Sequence, residues 1–148
     1  MEIGSKEWQR IIIDGARKLG IVIDECHTAL FSTHAAELIN WNRKINLTAI
    51  TNPREIAIKH FLDSLAPAGF IPDKARLLDI GSGGGFPGLP LKIFIPTISA
   101  LLIDGVRKKI NFLKHVLRTL GLEKIEARQM RPEILLKNPE YRAFFDVI

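Results

Sequence analysis

The first 70 residues repeat apolar positions at the spacing of amphipathic helices. Residues 5–19 form one such pattern, which Gly20 ends, and a second runs from about Asp24 to Asn46. A third begins at Asn52, whose side chain can cap a helix. These patterns predict an N-terminal helical segment over residues 1–70. Its inward-facing residues would be Trp8, Ile11, Ile12, Ala16 and Leu19, then Leu30, Phe31, Ala35, Leu38, Ile39 and Trp41, then Ile56, Ile58, His60, Phe61 and Leu65.

From residue 71 the pattern changes to short apolar runs that alternate with helical spacing. Residues 77–80 and 98–104 are too short for helix interiors and are typical of buried strands. Residues 106–120 repeat apolar positions as a helix does, and residues 144–148 are predicted to form a fourth strand. Alternating strands and helices predict an α/β fold with a parallel, Rossmann-like sheet. We therefore predict two parts, the helical segment 1–70 and a sheet domain over 71–148.

A glycine-rich loop follows the first apolar run, with five glycines within residues 81–88. Glycine permits positive φ angles and lets a ligand approach main-chain N–H groups. Residues 83–88 match the G-x-G-x-x-G spacing of dinucleotide-binding folds, in which a helix N-terminus faces a pyrophosphate. Counted instead from Asp79 through Gly81, Gly83 and Gly85, the loop resembles the first motif of class I S-adenosylmethionine (SAM) methyltransferases.

The carboxylate of Asp79 separates these two ligands. SAM carries an ammonium and a sulfonium and no phosphate, so an acid at the strand end attracts SAM and repels a diphosphate. Asp104 ends the second apolar run, 23 residues after Gly81, where an acid accepts hydrogen bonds from ribose hydroxyls in NAD and SAM enzymes alike. Capping of the next helix is an alternative role for Asp104, and a turn without any ligand is the alternative for the loop. The charge of Asp79 favours SAM.

Length and composition limit the classes of protein. A chain of 148 residues that is 47% hydrophobic can bury one core. No run of 18 apolar residues predicts a membrane span and the N-terminus lacks a signal-peptide pattern, so we expect a cytoplasmic protein. The single cysteine, Cys26, excludes an intramolecular disulfide, and we expect its thiol to be packed. The four histidines are not spaced as metal ligands, so no metal site is predicted.

The net charge of +5 belongs to the second half of the chain. Residues 1–70 carry eight Lys or Arg against eight Asp or Glu, whereas residues 71–148 carry thirteen against eight. Much of this charge lies on the predicted helix 106–120, opposite its apolar stripe of Val106, Ile110, Leu113, Leu117 and Leu120. A basic helix face fits a nucleic-acid backbone, and a face that is merely solvated is the alternative.

Four stretches of the chain resemble, in order and spacing, the small-subunit ribosomal RNA guanine-N7 methyltransferases called RsmG or GidB. They are the N-L-T of residues 46–48, the K-H-x-L-D-S-L of 59–65, the loop of 79–90 and the helix start of 107–113. The resemblance covers roughly residues 38–148. The three motifs N-L-T, K-H-x-L-D-S-L and G-F-P-G together are much more specific than the glycine loop alone.

This resemblance implies a SAM-dependent methyltransferase that modifies N7 of a guanine in the 16S rRNA of the small ribosomal subunit. Because N7 has a free lone pair, no proton need be removed, and we predict no catalytic base. Pro132 stands where the family usually has a residue with an N–H, so a hydrogen bond from that amide to adenine is excluded. The implied cofactor residues are Asp79, Gly81, Gly83, Gly85, Phe86, Asp104, Pro132 and Glu133, and the implied RNA-binding residues are Arg107, Lys108, Lys114 and Arg118.

Compared with the family, the chain stops after the predicted fourth strand, so we expect a shortened form with strands in the order 3-2-1-4. Its fourth strand would be an unpaired apolar edge, and we expect self-association through it. Two other functions stay open at this point. One is an NAD-type oxidoreductase domain that uses Gly83, Gly85, Gly88 and Asp104, and the other is an RNA-binding module without catalysis.

Overall fold

The computed structural model describes residues 1–148. Its first half is helical, as predicted. Helices α1 (Lys6–Lys18) and α2 (Glu25–Asn42) are followed by one helical stretch made of α3 (Pro53–Glu55), a π-helical segment (Ile56–Leu62), α4 (Asp63–Leu65) and a 3-10 segment (Ala66–Phe70). The second half consists of β1 (Arg76–Ile80), α5 (Gly88–Phe94), β2 (Ser99–Asp104), α6 (Arg107–Leu120), β3 (Ile125–Gln129), α7 (Pro132–Lys137) and a 3-10 turn (Pro139–Tyr141).

Short polar side chains set the starts of the first two helices. The Ser5 hydroxyl accepts a hydrogen bond from the N–H of Trp8 at 3.2 Å. Asp24 accepts from the N–H of His27 at 2.9 Å, and the His27 ring accepts from the N–H of Asp24 at 3.2 Å. This reciprocal pair satisfies two backbone donors that a helix start would otherwise leave free.

Three parallel strands form the sheet in the order β1-β2-β3, with β2 in the centre. Leu78 pairs with Leu101, and Leu102 pairs with Ala127. Helices α5 and α6 make the two crossovers that parallel neighbours require. Because all three strands run the same way, the glycine loop after β1 and Asp104 at the end of β2 lie at the same edge of the sheet. The predicted Rossmann-like α/β fold is confirmed.

One apolar cluster joins the helical half to the sheet half. Trp8 of α1 and Phe61 of the π-helical segment belong to the same cluster as Leu77 of β1 and Ala100 of β2. The Trp8 and Phe61 rings meet edge to face with centroids 5.6 Å apart. The division at residue 70 therefore stays a prediction, and its two parts share a core.

The predicted fourth strand is reduced to a single bridge between Val147 and Leu77. This bridge lies on the free edge of β1, where the order 3-2-1-4 requires it. Ala143, four residues before Val147, adopts the left-handed region (φ 54°), so the chain turns shortly before it reaches β1. Asp146 then anchors the segment, accepting from the backbone N–H of Arg76 at 2.8 Å and from its guanidinium at 3.3 Å.

Four finer predictions are corrected. Leu19 is exposed, because it lies at the C-terminal end of α1, beyond its last helical residue. Cys26 is exposed, because the buried face of α2 runs through Thr28 and Phe31 and position 26 falls on the opposite side. Ile58 is partly exposed, because it lies two residues after the buried Ile56 and therefore on the opposite side of the helical stretch. Val106 is also exposed, because it precedes the first turn of α6. No helix is both long enough and apolar enough to cross a bilayer.

Candidate cofactor site and RNA-facing surface

The loop between β1 and α5 contains two kinds of glycine. Gly81 (φ +70°) and Gly83 (φ +53°) have positive φ angles, and a Cβ added at either would meet no atom closer than 3.9 Å. At Gly85 and Gly88 an added Cβ would lie 2.4 Å from a Leu89 methyl carbon and 2.3 Å from a Leu102 methyl carbon, respectively. The loop therefore leaves open space beside residues 81 and 83, where a ligand can approach the main chain, and packs residues 85 and 88 into the core.

Almost every N–H group of the loop is already used within the protein. From Gly81 to Leu91, only Gly84 has an N–H without an acceptor, apart from Pro87 and Pro90, which have no N–H. A pyrophosphate site needs several free N–H groups at the start of the following helix. The structure therefore disfavours the dinucleotide interpretation of the G-x-G-x-x-G spacing.

Asp79 is buried beneath the loop near the end of β1. Its Oδ2 accepts a hydrogen bond from the N–H of Gly88 at 2.9 Å. Burial raises the pKa of Asp79 to about 6 from an ordinary value of 3.8, although the Gly88 hydrogen bond acts in the opposite direction. The nearby negative charge of Asp104 also raises it. No basic side chain neutralises the negative charge of Asp79. A cation bound here would therefore interact favourably with this carboxylate.

Asp104 holds the turn between β2 and α6 but does not cap the helix, because the N-cap of α6 is Val106 and no side chain bonds to the N–H groups of its first turn. Its Oδ1 accepts from the N–H of Val106 at 2.9 Å, before α6, and its Oδ2 accepts from the N–H of Gly83 at 3.0 Å. The second bond ties the end of β2 to the glycine loop. Each carboxylate oxygen has a further lone pair, so ribose binding is compatible with these two hydrogen bonds. Neither Asp79 nor Asp104 forms an ion pair with a basic side chain.

The ring of Phe86 faces the N-terminal helices. It stacks on the imidazoles of His34 and His60, with centroids 4.7 Å and 4.5 Å away, and meets Phe61 edge to face. A contact between Phe86 and a cofactor stays a prediction, and it would have to involve the ring edge or the backbone. The sequence analysis missed His34, although its position three residues after Phe31 and four before Leu38 marks it as inward-facing.

The N-L-T motif forms a hydrogen-bonded turn that holds His60. The Asn42 side chain accepts from the N–H groups of Leu47 and Thr48 at 2.9 Å and 3.0 Å. The Thr48 hydroxyl accepts from the N–H of Ile50 at 3.0 Å and lies 2.8 Å from Nε2 of His60. Thr48 thus positions the imidazole that stacks on Phe86, which explains structurally why these two motifs occur together.

Pro132 and Glu133 begin α7, just after β3. Pro132 lines an apolar hollow of about 270 Å³ together with Ile80 at the end of β1, and Glu133 is exposed. Their location at the carboxyl edge of the sheet agrees with a border of the cofactor site, and their contact with a cofactor stays a prediction.

The structure divides the predicted RNA-binding residues between two surface hollows. Lys108 lines a hollow of about 360 Å³ with Lys44 and Lys109, which the sequence analysis did not select. Lys114 and Arg118 line a second, open hollow of about 640 Å³ farther along α6. Arg107 is exposed at the start of the helix. On α6 the imidazole of His115 lies 2.9 Å from a carboxylate oxygen of Glu37. No lysine or arginine of α6 forms an ion pair, so five cations are available to an external anion: Arg107, Lys108, Lys109, Lys114 and Arg118.

A profile of the GidB family, described as rRNA small subunit methyltransferase G, matches residues 27–147. The chain belongs to the GidB family. Among curated members, the Ribosomal RNA small subunit methyltransferase G of Geobacter sulfurreducens is 50% identical over 133 residues, which are 90% of this chain and 61% of that protein. The protein of the same name from Geotalea uraniireducens is 46% identical over 130 residues, 88% of this chain and 59% of that protein. The chain thus spans about three fifths of the length of these relatives.

Solved structures agree with the fold of this GidB chain. A protein-L-isoaspartate O-methyltransferase from Plasmodium falciparum, in complex with S-adenosyl-L-homocysteine, aligns with a TM-score of 0.52 at 16% identity and covers 90% of this chain and 66% of its own. A second structure described as protein-L-isoaspartate O-methyltransferase gives a TM-score of 0.56 at 12% identity over 92% of this chain and 45% of its own. At these identities the likeness concerns the fold alone.

Proposed function

We propose that this chain provides the cofactor-binding part of a SAM-dependent methyltransferase that methylates N7 of a guanine in 16S rRNA. Membership of the GidB family supports the reaction and the substrate. The observation that carries the cofactor assignment is the pairing of two unneutralised carboxylates, Asp79 and Asp104, with a glycine loop that offers almost no free N–H to a phosphate. Such a site attracts a cation and repels a diphosphate.

Each element of the site has a defined part in this proposal. The negative charge of Asp79 lies at the strand end, where it would stabilise the ammonium of the cofactor. Asp104 would accept from a ribose hydroxyl while it continues to hold Gly83. The open backbone at Gly81 and Gly83 would allow close approach, and Pro132 would give the adenine an apolar border.

When bound, SAM supplies an electrophilic methyl group on a sulfonium. The N7 atom of guanine has a free lone pair, so the reaction requires no proton acceptor from the protein. The contribution of the chain is to align the two reactants and to keep the site electronegative while the purine gains positive charge. We therefore assign no catalytic base, and we give His60 a structural role through Thr48 and Phe86.

The unpaired cations of α6 support a role in holding the RNA. Lys108, Lys109 and Lys44 line one hollow together with Val106, whose N–H donates a hydrogen bond to Asp104. A phosphate placed there would lie next to the cofactor site. The proposed partner is 16S rRNA, free or in the small ribosomal subunit, and the proposed place of action is the cytoplasm.

Isothermal titration calorimetry on this chain tests the cofactor assignment. We expect S-adenosylhomocysteine to bind and NADH to give no heat. Asp79→Asn and Asp104→Asn should each weaken binding by about tenfold, the equivalent of roughly 1.4 kcal/mol. Glu2→Gln, which removes an exposed acid far along the chain from the loop, is the matched control and should leave the affinity unchanged. Binding of NADH without binding of S-adenosylhomocysteine would overturn the proposal.

The edge of β1 supports a second, separate proposal of self-association. Val147 covers it at one position only, and Ile80 and Ile148 are exposed beside it. Strand pairing between two copies would give hydrogen-bond partners to the unpaired N–H and C=O groups of this edge. Sedimentation velocity over a range of concentrations should show a dimer, and a constant monomer would contradict this proposal.

A further inference from the structure

His34 lies on α2, fifty residues before the glycine loop, and is completely buried. Its Nε2 is 2.7 Å from the carbonyl oxygen of Gly84. Because a carbonyl can only accept, Nε2 must carry the hydrogen in this bond. Burial lowers the pKa of His34 to about 4, so the ring is neutral near pH 7 and its other nitrogen, Nδ1, carries no hydrogen. Nδ1 is buried without a hydrogen-bond partner.

A buried imidazole with one unsatisfied nitrogen is a costly way to fill a core position, because an apolar side chain would carry no such penalty. The imidazole donates a hydrogen bond to the carbonyl of Gly84, and it also stacks on the ring of Phe86. Both Gly84 and Phe86 belong to the loop. The contacts of His34 therefore point to the loop as the reason for a histidine at this position.

The Gly84 carbonyl belongs to a peptide unit that is held at both ends. Its oxygen accepts from His34, and its N–H, on Gly85, donates to the carbonyl of Ser82 at 2.8 Å. One residue earlier, the N–H of Gly83 is held by Asp104. The open stretch at Gly83 is thus fixed on one side by the end of β2 and on the other by α2.

We propose that His34 is a positioning residue that holds the glycine loop in its ligand-binding shape through the Gly84 carbonyl, so that helix α2 sets the affinity for the cofactor. The inference rests on the proposed SAM site. It adds that the affinity of that site depends on a side chain outside the sheet domain and out of reach of the cofactor itself.

Three variants separate this role from a purely structural one. His34→Gln keeps an amide donor that can reach Gly84, whereas His34→Phe keeps an aromatic ring and removes the donor. Phe31→Leu is the control, because Phe31 is equally buried on α2, its ring pairs with Phe61, and it can form no hydrogen bond to the loop. Calorimetry with S-adenosylhomocysteine and thermal unfolding are measured for each variant and for the native chain.

We expect His34→Phe to weaken S-adenosylhomocysteine binding by about five- to tenfold, as loss of one ordering hydrogen bond predicts, and His34→Gln to stay within about twofold of the native value. Phe31→Leu should lower the melting temperature with little change in affinity. Native affinity in His34→Phe, or an equal loss in Phe31→Leu, would overturn the inference.

Amide hydrogen exchange in the ligand-free protein tests His34 independently of cofactor binding. His34→Phe should speed exchange at Gly83 and Gly85, and His34→Gln should not. If the native chain failed to bind S-adenosylhomocysteine, the proposed function would fail while this measurement still decided the role of His34. Unchanged exchange in His34→Phe would refute the positioning role even if the cofactor bound.

Discussion

The Oδ2 atom of Asp79 lies 2.9 Å from the backbone nitrogen of Gly88, so an acid near the end of β1 also holds the first residue of α5. A Cβ on Gly88 would lie 2.7 Å from that same oxygen and 2.3 Å from a methyl carbon of Leu102. The last glycine of the loop is therefore required by close packing between a helix and two strands. The hydrogen bond between Asp79 and Gly88 therefore couples the position of the carboxylate to the position of α5.

Replacement of Gly88 tests this packing. Gly88→Ala should lower the free energy of unfolding by about 1–3 kcal/mol, because the added carbon overpacks a buried site. Gly69→Ala is the control, since a Cβ at Gly69 would have no neighbour within 4 Å, and its effect should be close to zero. Urea unfolding of both variants measures the difference, and equal stabilities would contradict the close approach.

Asp79 should make the protein less stable as the pH rises. Its pKa is about 6 in the fold against 3.8 in an unfolded chain, so the folded state binds the proton more tightly between these values. Asp79→Asn keeps an acceptor for Gly88 and does not titrate. The stability of the variant relative to the native protein should therefore increase by on the order of 1–2 kcal/mol from about pH 4 to about pH 8. If the difference in free energy of unfolding between the two proteins did not change with pH, burial would not disfavour the charged form of Asp79.

His34 should have the opposite dependence. Burial lowers its pKa to about 4 from 6.5, so the unfolded chain takes up a proton that the folded chain does not. The native protein should lose on the order of 2 kcal/mol relative to His34→Gln as the pH falls from about 6.5 to about 4. Unfolding of the two proteins by urea across this range measures the change. Parallel pH curves would place His34 in a more polar environment than the structure shows.

The salt dependence of RNA binding tests the surface of α6. A double variant, Lys108→Gln with Lys109→Gln, should bind a guanine-containing 16S rRNA fragment more weakly. The slope of log K against log salt should become shallower by about 0.7–0.9 for each phosphate that the variant no longer neutralises. Lys18→Gln on α1, an exposed lysine on another helix, should leave the slope unchanged. Fluorescence anisotropy at several salt concentrations provides the slopes. Identical slopes for all proteins would contradict a role of α6 in RNA binding.

The elements that the sequence predicted well are those governed by local patterns. The strand that contains Asp79, the glycine loop and the basic helix are each encoded in consecutive residues, so spacing alone places them. Parallel pairing then brings Asp104 to the same edge as the loop, which the spacing of 23 residues anticipated.

The features that escaped prediction depend on distant partners. His34 meets Gly84 across fifty residues, and nothing in the pattern of α2 distinguishes it from an ordinary core residue. The ring of Phe86 packs between helices that the sequence could not place relative to the loop.

Because Trp8 and Leu77 belong to one cluster, the helices and the sheet should melt together. A calorimeter would then record one heat-absorption peak for the whole chain. Protease cleavage within the exposed stretch Pro72–Lys74 would release two pieces, each with half of a core open to water, and neither piece should keep its shape alone.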